Sequence, residues 1–198
     1  MIVGVTGNFG AGKTTVACMF RELGAKLIDA DKIAHQLIRS QSKIYKQILA
    51  CFGRGILAPG NRFISRKKLA GIVFGSPRAL KRLNAIMHPA IIRIIENRIN
   101  KSHAGKILII DAALLIETGF LSRVDKLVVV KSLSRIQMQR LITSGLTADQ
   151  IKQRLLAQLP QSRKIVFADF VVNNSGTRAK TRKQVRDIWN KLSDPAPF

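Results

Sequence analysis

Gly7-Asn8-Phe9-Gly10-Ala11-Gly12-Lys13-Thr14 fits the pattern G-x-x-x-x-G-K-[ST] without a mismatch. Its flanks fit as well. Residues 1–5 read as a short buried strand, and residues 15–23 place Val16, Ala17, Met19, Phe20 and Leu23 at helical spacing. A strand, a glycine-rich turn and a helix start together form an anion cradle. Backbone N–H groups left over at the helix start point at phosphate oxygens, and the helix dipole adds partial positive charge there. In that setting Lys13 reaches β- and γ-phosphates, and the Thr14 hydroxyl can ligate magnesium. A chance glycine-rich turn would lack this context.

Working outward, unbroken apolar runs alternate with helical patterns. Residues 26–29 predict a second strand running into Asp29-Ala30-Asp31, and residues 33–100 turn helical. Residues 78–99 are the clearest helix, with Leu80, Leu83, Met87, Ile91, Ile94 and Ile95 at three- and four-residue steps. Residues 107–110, 127–130 and 170–172 are apolar throughout, as strands buried on both faces must be. Between the last two lies a polar, basic stretch with helical segments near 137–141 and 149–159. A final helix over 183–192 precedes a tail expected to fray. Five buried strands joined by helical crossovers imply an α/β fold with a doubly wound parallel sheet. Its ligand crevice belongs at the carboxyl ends of the strands. That rim then carries the glycine-rich loop, Asp29, Asp31 and Asp111. Residues 33–100 form an inserted helical lobe, 133–165 a basic lid, and 1–32, 101–132 and 166–198 the nucleotide-binding core of one 198-residue domain. This arrangement suits a small phosphotransferase, whose lid excludes water and brings cations to the developing charge.

Composition narrows the classes. No apolar run is long enough to span a bilayer, since the longest, 107–116, is interrupted by Asp111. The N-terminal residues lead straight into the glycine-rich loop without a signal-peptide pattern, and Cys18 and Cys51 suggest neither a disulfide framework nor a metal cluster. A cytoplasmic protein is expected; nothing sets its oligomeric state. Thirty-four basic against 11 acidic residues leave a net charge of +23. Such a charge raises the prospect of nucleic-acid binding. The basic residues are scattered, however, with no basic tail, no RNA-binding aromatic signature and no zinc-finger spacing. Polyanionic small substrates drawn in by the net field are the reading preferred here over specific nucleic-acid binding.

Several runs resemble one family. They are Gly7 to Thr15, then Leu23-Gly24-Ala25-x-Leu27-Ile28-Asp29-Ala30-Asp31-x-Ile33-Ala34, and Arg66-x-x-Leu69 leading to Val73-Phe74. Ile86-x-His88-Pro89-x-Ile91 and Asp111-x-x-Leu114-Leu115-x-Glu117 follow. Gln137-x-x-Arg140-Leu141, Arg154-x-x-x-Gln158 and Ala168-Asp169-Phe170-Val171 through Asn174-Ser175-Gly176 complete the set. In this order, and across nearly the whole chain, they resemble the dephospho-coenzyme A kinases, a P-loop kinase family. The resemblance implies ATP-dependent phosphorylation of the ribose 3′-hydroxyl of dephospho-coenzyme A, with Mg2+ as the metal.

It also implies site roles. Gly10, Ala11, Gly12, Lys13, Thr14 and Thr15 hold the triphosphate, and Asn174 and its neighbours flank the adenine. Asp31 accepts or orients the proton of the acceptor hydroxyl, with Asp29 as the second candidate base. A competing role for Asp31 is N-cap of a helix starting at Lys32. Asp111 ends an apolar strand and would hold magnesium through water with Thr14, unless it merely terminates the strand. Arg66 and His88 fall in the acceptor lobe, where His88 could equally be a structural histidine beside Pro89. Arg140 and Arg154 are the lid cations. Three positions depart from the family pattern: Ala113 replaces a proline, Ser144 stands where a second lid arginine follows Arg140, and Asn173 replaces an aspartate. A nucleotide or shikimate-type kinase and a nucleic-acid-dependent ATPase are the alternative classes.

Overall fold

In the computed structural model, which describes residues 1–39, 42–60, 62–102 and 105–193, strands and helices alternate as the apolar runs require. In chain order they are β1 (Ile2–Gly7), α1 (Lys13–Glu22), β2 (Lys26–Asp29), α2 (Ala30–Arg39), α3 (Lys43–Phe52), α4 (Arg66–Phe74) and α5 (Pro77–Asn100). There follow β3 (Leu108–Asp111), β4 (Lys126–Lys131), α6 (Ser134–Thr143), α7 (Ala148–Leu156), α8 (Gln161–Val166), β5 (Phe170–Asn173) and α9 (Arg178–Ser193). The chain divides into two compact units, Met1–Asp29 with Ile99–Phe198, and Ala30–Arg98.

The first unit holds a five-stranded sheet in the order β2-β3-β1-β4-β5. Every pairing is parallel, with Asp29 opposite Asp111, Val5 opposite Asp111, and Gly7 opposite Val130. The strand order reverses direction at β1, so the crevice expected of an open parallel sheet lies beyond the end of β1, where the glycine-rich loop begins. Val3, Val5, Ile109, Val128, Val130 and Val172 are buried together with Val16, Ala17 and Phe20 of α1 and Val185, Ile188 and Leu192 of α9. Each of these side chains larger than alanine contributes about 1.5–3 kcal/mol when withdrawn from water. This core therefore fixes the strand ends that carry the site.

The second unit is helical. Ile38, Tyr45, Ile48, Ile56, Leu57, Ile64, Leu69, Val73 and Met87 form its buried cluster. Ser42 and Ser65 cap α3 and α4 by accepting the Tyr45 and Lys68 N–H groups. Helix α5 runs through Pro89, which cannot donate the usual i→i−4 bond.

Most differences from the sequence reading lie at helix ends, but the stretch 33–100 read as helical also holds a 3-10 turn at Arg54–Ile56 and a bridge between Leu57 and Ile64. Helix α2 starts at Ala30, so Asp31 sits inside its first turn and is not the N-cap of a helix beginning at Lys32. The carboxylate there still favours the positive end of the dipole. Helix α9 starts at Arg178 rather than 183, because exposed basic residues carry no periodic signal. Helix α8 has no counterpart in that reading; six residues are too few to show a period. The segment near 149–159 stops being helical at Leu156. The terminal tail beyond residue 193 lies outside the described residues.

Candidate active site

The glycine-rich loop leaves β1 and ends at Gly12, which stands immediately before α1 with φ 89° and ψ 32°. That left-handed conformation is open to glycine at little cost. A Cβ at Gly12 would also collide with the Asn174 side-chain amide. Ala11 N–H closes the loop by donating to Asn8 O at 3.0 Å, and the buried Lys13 has its Nζ 3.5 Å from the same carbonyl.

Beside it, Thr14 Oγ1 donates to Asp111 Oδ2 at 2.9 Å. Asp111 is 3% exposed and is the last residue of β3. Its register neighbours are Val5 of β1 and Asp29 of β2, so parallel pairing sets the carboxylate next to the loop. A threonine hydroxyl and a carboxylate side by side are hard oxygen donors of the kind Mg2+ prefers. Among the described residues no group of three or more His, Cys, Asp or Glu forms a metal cage. One or two protein oxygens completed by substrate phosphates and water are what Mg2+ needs, and the Thr14–Asp111 pair fits that requirement.

Three further elements brace the loop. From α9, the buried Thr181 donates through Oγ1 to Asn174 Oδ1 at 3.0 Å, and Asn174 Nδ2 donates to Ala11 O at 2.9 Å. Arg140 of α6 donates through Nη2 to Asn174 O at 2.9 Å, and its Nη1 stands 3.6 Å from where a Cβ on Gly12 would lie. Phe9 is gripped on both sides of its backbone: its N–H donates to Gln158 Oε1 at 2.8 Å, and its carbonyl accepts from Gln137 Nε2 at 3.4 Å. The Arg154 guanidinium lies 4.9 Å from the Phe9 ring centroid, a cation–π distance. Ser144 ends α6, its hydroxyl donating to Leu141 O at 2.7 Å.

The structure thus gathers Gly10 to Thr14, Asp111, Asn174, Arg140 and Arg154 around one loop, with Thr15 in the first turn of α1 and Asp29 at the end of β2. Asp31, Arg66 and His88 belong to the helical unit. There Asp31 occupies the first turn of α2, and Arg66 opens α4 beside its cap. Burial pushes the half-buried His88 imidazole below its usual pKa, since desolvation penalises the charged form. Sequence reasoning assigned no role to Gln137, Gln158, Thr181, Glu117 or Lys164. Gln137, Gln158 and Glu117 stand in runs that resemble the family's, but nothing in the chain marks what their side chains bind.

A parallel sheet reversing at β1, a phosphate loop at that point, and a hydroxyl–carboxylate pair beside the loop lysine define a P-loop phosphotransferase. The comparisons narrow the class. The family profile described as dephospho-CoA kinase matches residues 1–180. A dephospho-CoA kinase of Aquifex aeolicus is 40% identical over 195 residues, covering 98% of each chain. A crystal structure from Thermus thermophilus superposes with a TM-score of 0.79 at 27% identity over 97% of each chain. A dephospho-CoA kinase from Campylobacter jejuni does so with a TM-score of 0.70 at 27% identity over 98% of each. This chain belongs to the dephospho-CoA kinase family. Its activity is ATP-dependent phosphorylation of dephospho-coenzyme A in coenzyme A biosynthesis.

Proposed function

We propose that this kinase transfers the γ-phosphoryl group of ATP to the ribose 3′-hydroxyl of dephospho-coenzyme A, releasing ADP and coenzyme A in the cytoplasm. The observation that carries the site assignment is the Thr14–Asp111 contact of 2.9 Å beside the buried Lys13.

Phosphoryl transfer asks the protein for positioning and charge neutralisation more than covalent chemistry. Backbone N–H groups of Gly10 to Thr15 cradle the triphosphate, and Lys13 places a point charge at its β- and γ-phosphates. Thr14 and Asp111 would hold Mg2+, Asp111 through water, and the metal would neutralise charge on the β- and γ-oxygens. Arg140 adds a guanidinium next to Gly12, and Arg154 is the second lid cation. Asn174 and its neighbours flank the adenine; the Asn174 amide is itself engaged with Ala11 and Thr181.

On the acceptor side, Asp31 takes or orients the 3′-hydroxyl proton as the oxygen attacks phosphorus in line with the departing ADP. Its place in the first turn of α2 and the Asp29-Ala30-Asp31 run that resembles the family's support this role. Asp29, Arg66 and His88 contribute to acceptor binding. In this scheme residues 33–100 form the acceptor lobe and 133–165 the lid of the single 198-residue domain. The polyanionic substrates account for part of the +23 charge without specific nucleic-acid binding.

A coupled ADP-release assay tests the reading, with dephospho-coenzyme A, adenosine, AMP and DNA supplied separately. Turnover with dephospho-coenzyme A, and phosphate mapped to the 3′ position of the product, is the expected outcome. Turnover confined to AMP, or ADP release appearing only with DNA, would overturn it.

A further inference from the structure

Lys164 of α8 is fully buried, at 0% exposure, and has no part in the scheme above. Its Nζ donates to Ala113 O at 2.7 Å and pairs with Glu117 Oε1 at 2.8 Å. The same glutamate oxygen accepts the Leu159 N–H at 3.0 Å. Withdrawing an ammonium from water is costly, and a buried ion pair often stabilises no better than apolar side chains of the same size. Stability alone is therefore a weak reason for a lysine here. What the lysine holds is more informative.

Ala113 lies two residues beyond Asp111, and its carbonyl also accepts from Thr6 Oγ1 of β1 at 3.3 Å. Alanine has no ring to set φ at that turn, so its carbonyl's hydrogen bonds do more of the work of holding it. A backbone carbonyl needs a donor, which no apolar side chain supplies. Neighbouring residues extend the tie. Gln158 Oε1 accepts from Phe9 N–H at 2.8 Å, and Gln161 Oε1 accepts from Ser132 N–H at 3.2 Å. Residues 158–164 thus bond the chain as it leaves β1, β3 and β4.

We infer that Lys164 is a positioning residue for phosphoryl transfer: through Ala113 and Glu117 it holds the exit of β3, and with it the Asp111 carboxylate beside Thr14. The inference rests on the metal-holding role proposed for Thr14 and Asp111. Residues one step behind a metal ligand commonly set its geometry, and their loss costs about 10–100-fold in metal affinity or activity.

The test uses the full chain with ADP and Mn2+ as the probe, metal binding being read by electron paramagnetic resonance. Lys164→Met should weaken Mn2+ binding about tenfold and lower kcat while the KM for dephospho-coenzyme A stays put. The double variant Lys164→Met/Glu117→Leu removes the stranded carboxylate and should regain thermal stability. Its Mn2+ binding should remain weak. Native Mn2+ affinity in the double variant, or in Lys164→Met itself, would overturn the inference and leave Lys164 a packing element. Asp111→Asn separates the two layers. If it binds Mn2+ normally, the metal assignment falls and the positioning role falls with it. If it binds weakly while Lys164→Met binds normally, only the positioning role is lost.

Discussion

The two units of this chain use polar groups in opposite ways. Among the described residues the buried polar or charged side chains are Thr6, Asn8, Lys13, Asp111, Ser132, Gln137, Lys164, Asn174 and Thr181, all in the sheet unit. The helical unit, Ala30–Arg98, is held by an apolar cluster, and its polar bonds include Tyr45 Oη to Arg62 O at 3.1 Å and Lys68 Nζ to Leu57 O at 2.8 Å. Its charge is lopsided: residues 30–98 carry 14 Lys and Arg against two Asp and Glu, while the rest of the chain carries 20 against nine. Buried hydrogen bonds cannot relax into water, so they fix geometry. Charges on solvated stems attract a polyanion without fixing it. On the proposed assignment of donor and acceptor to the two units, the donor side should depend on placement and the acceptor side on field.

The largest test of that contrast is Lys13→Ala. It should lower kcat/KM for ATP by about 10³-fold, the scale of losing one preorganised charge stabiliser, and weaken nucleotide binding measured by calorimetry. An effect under tenfold would remove Lys13 from the donor site. Next, Asp31→Asn should lower kcat by about 10²-fold or more with ATP affinity unchanged, since the role proposed for it lies with the acceptor. Near-normal steady-state rates in that variant would end its assignment as the base.

A smaller effect concerns salt. Between about 0.01 M and 0.1 M ionic strength the Debye length falls from about 30 Å to about 10 Å. The KM for dephospho-coenzyme A should then rise more than the KM for ATP, whose phosphates are proposed to meet the buried Lys13, a charge that is screened less. Equal slopes in the two titrations would erase the distinction between the units.

The smallest effect is a pH dependence of stability. Burial lowers the His88 pKa in the folded state, so below the ordinary value of 6.5 the unfolded chain binds the proton more readily. Stability should fall as pH drops through 6.5 toward the lowered value, and this part of the loss should vanish in His88→Gln. Thermal melts at pH 7 and pH 5 in about equal salt measure it. Identical acid sensitivity in the variant would show that other groups carry it.

Much of the proposed donor side is legible in the sequence alone. Unbroken apolar runs such as 107–110 and 127–130 can only be satisfied by strands covered on both faces, and they appear as β3 and β4. Asp111 stands out as the carboxylate that ends the first of these runs. The grip on Phe9 was not legible. Gln137 and Gln158 are 128 and 149 residues from Phe9 in the chain, and nothing local distinguishes them from solvated glutamines. Lys164 was hidden for the same reason, as one basic residue in a basic segment until α8 carries it to 0% exposure.

The sequence by itself determined the parallel α/β class, the phosphate loop with Lys13 and Thr14, the strand-ending Asp111 and the family. These rest on local spacing and apolar periodicity, which short-range sterics and burial translate directly into structure. Tertiary structure alone decided the strand order β2-β3-β1-β4-β5, the contact of Thr14 with Asp111, and the ties from Asn174, Gln158 and Lys164 to the loops at the strand ends. Each of these joins residues far apart in the chain. Their pairing depends on which strands lie side by side, and no local stretch of sequence encodes that.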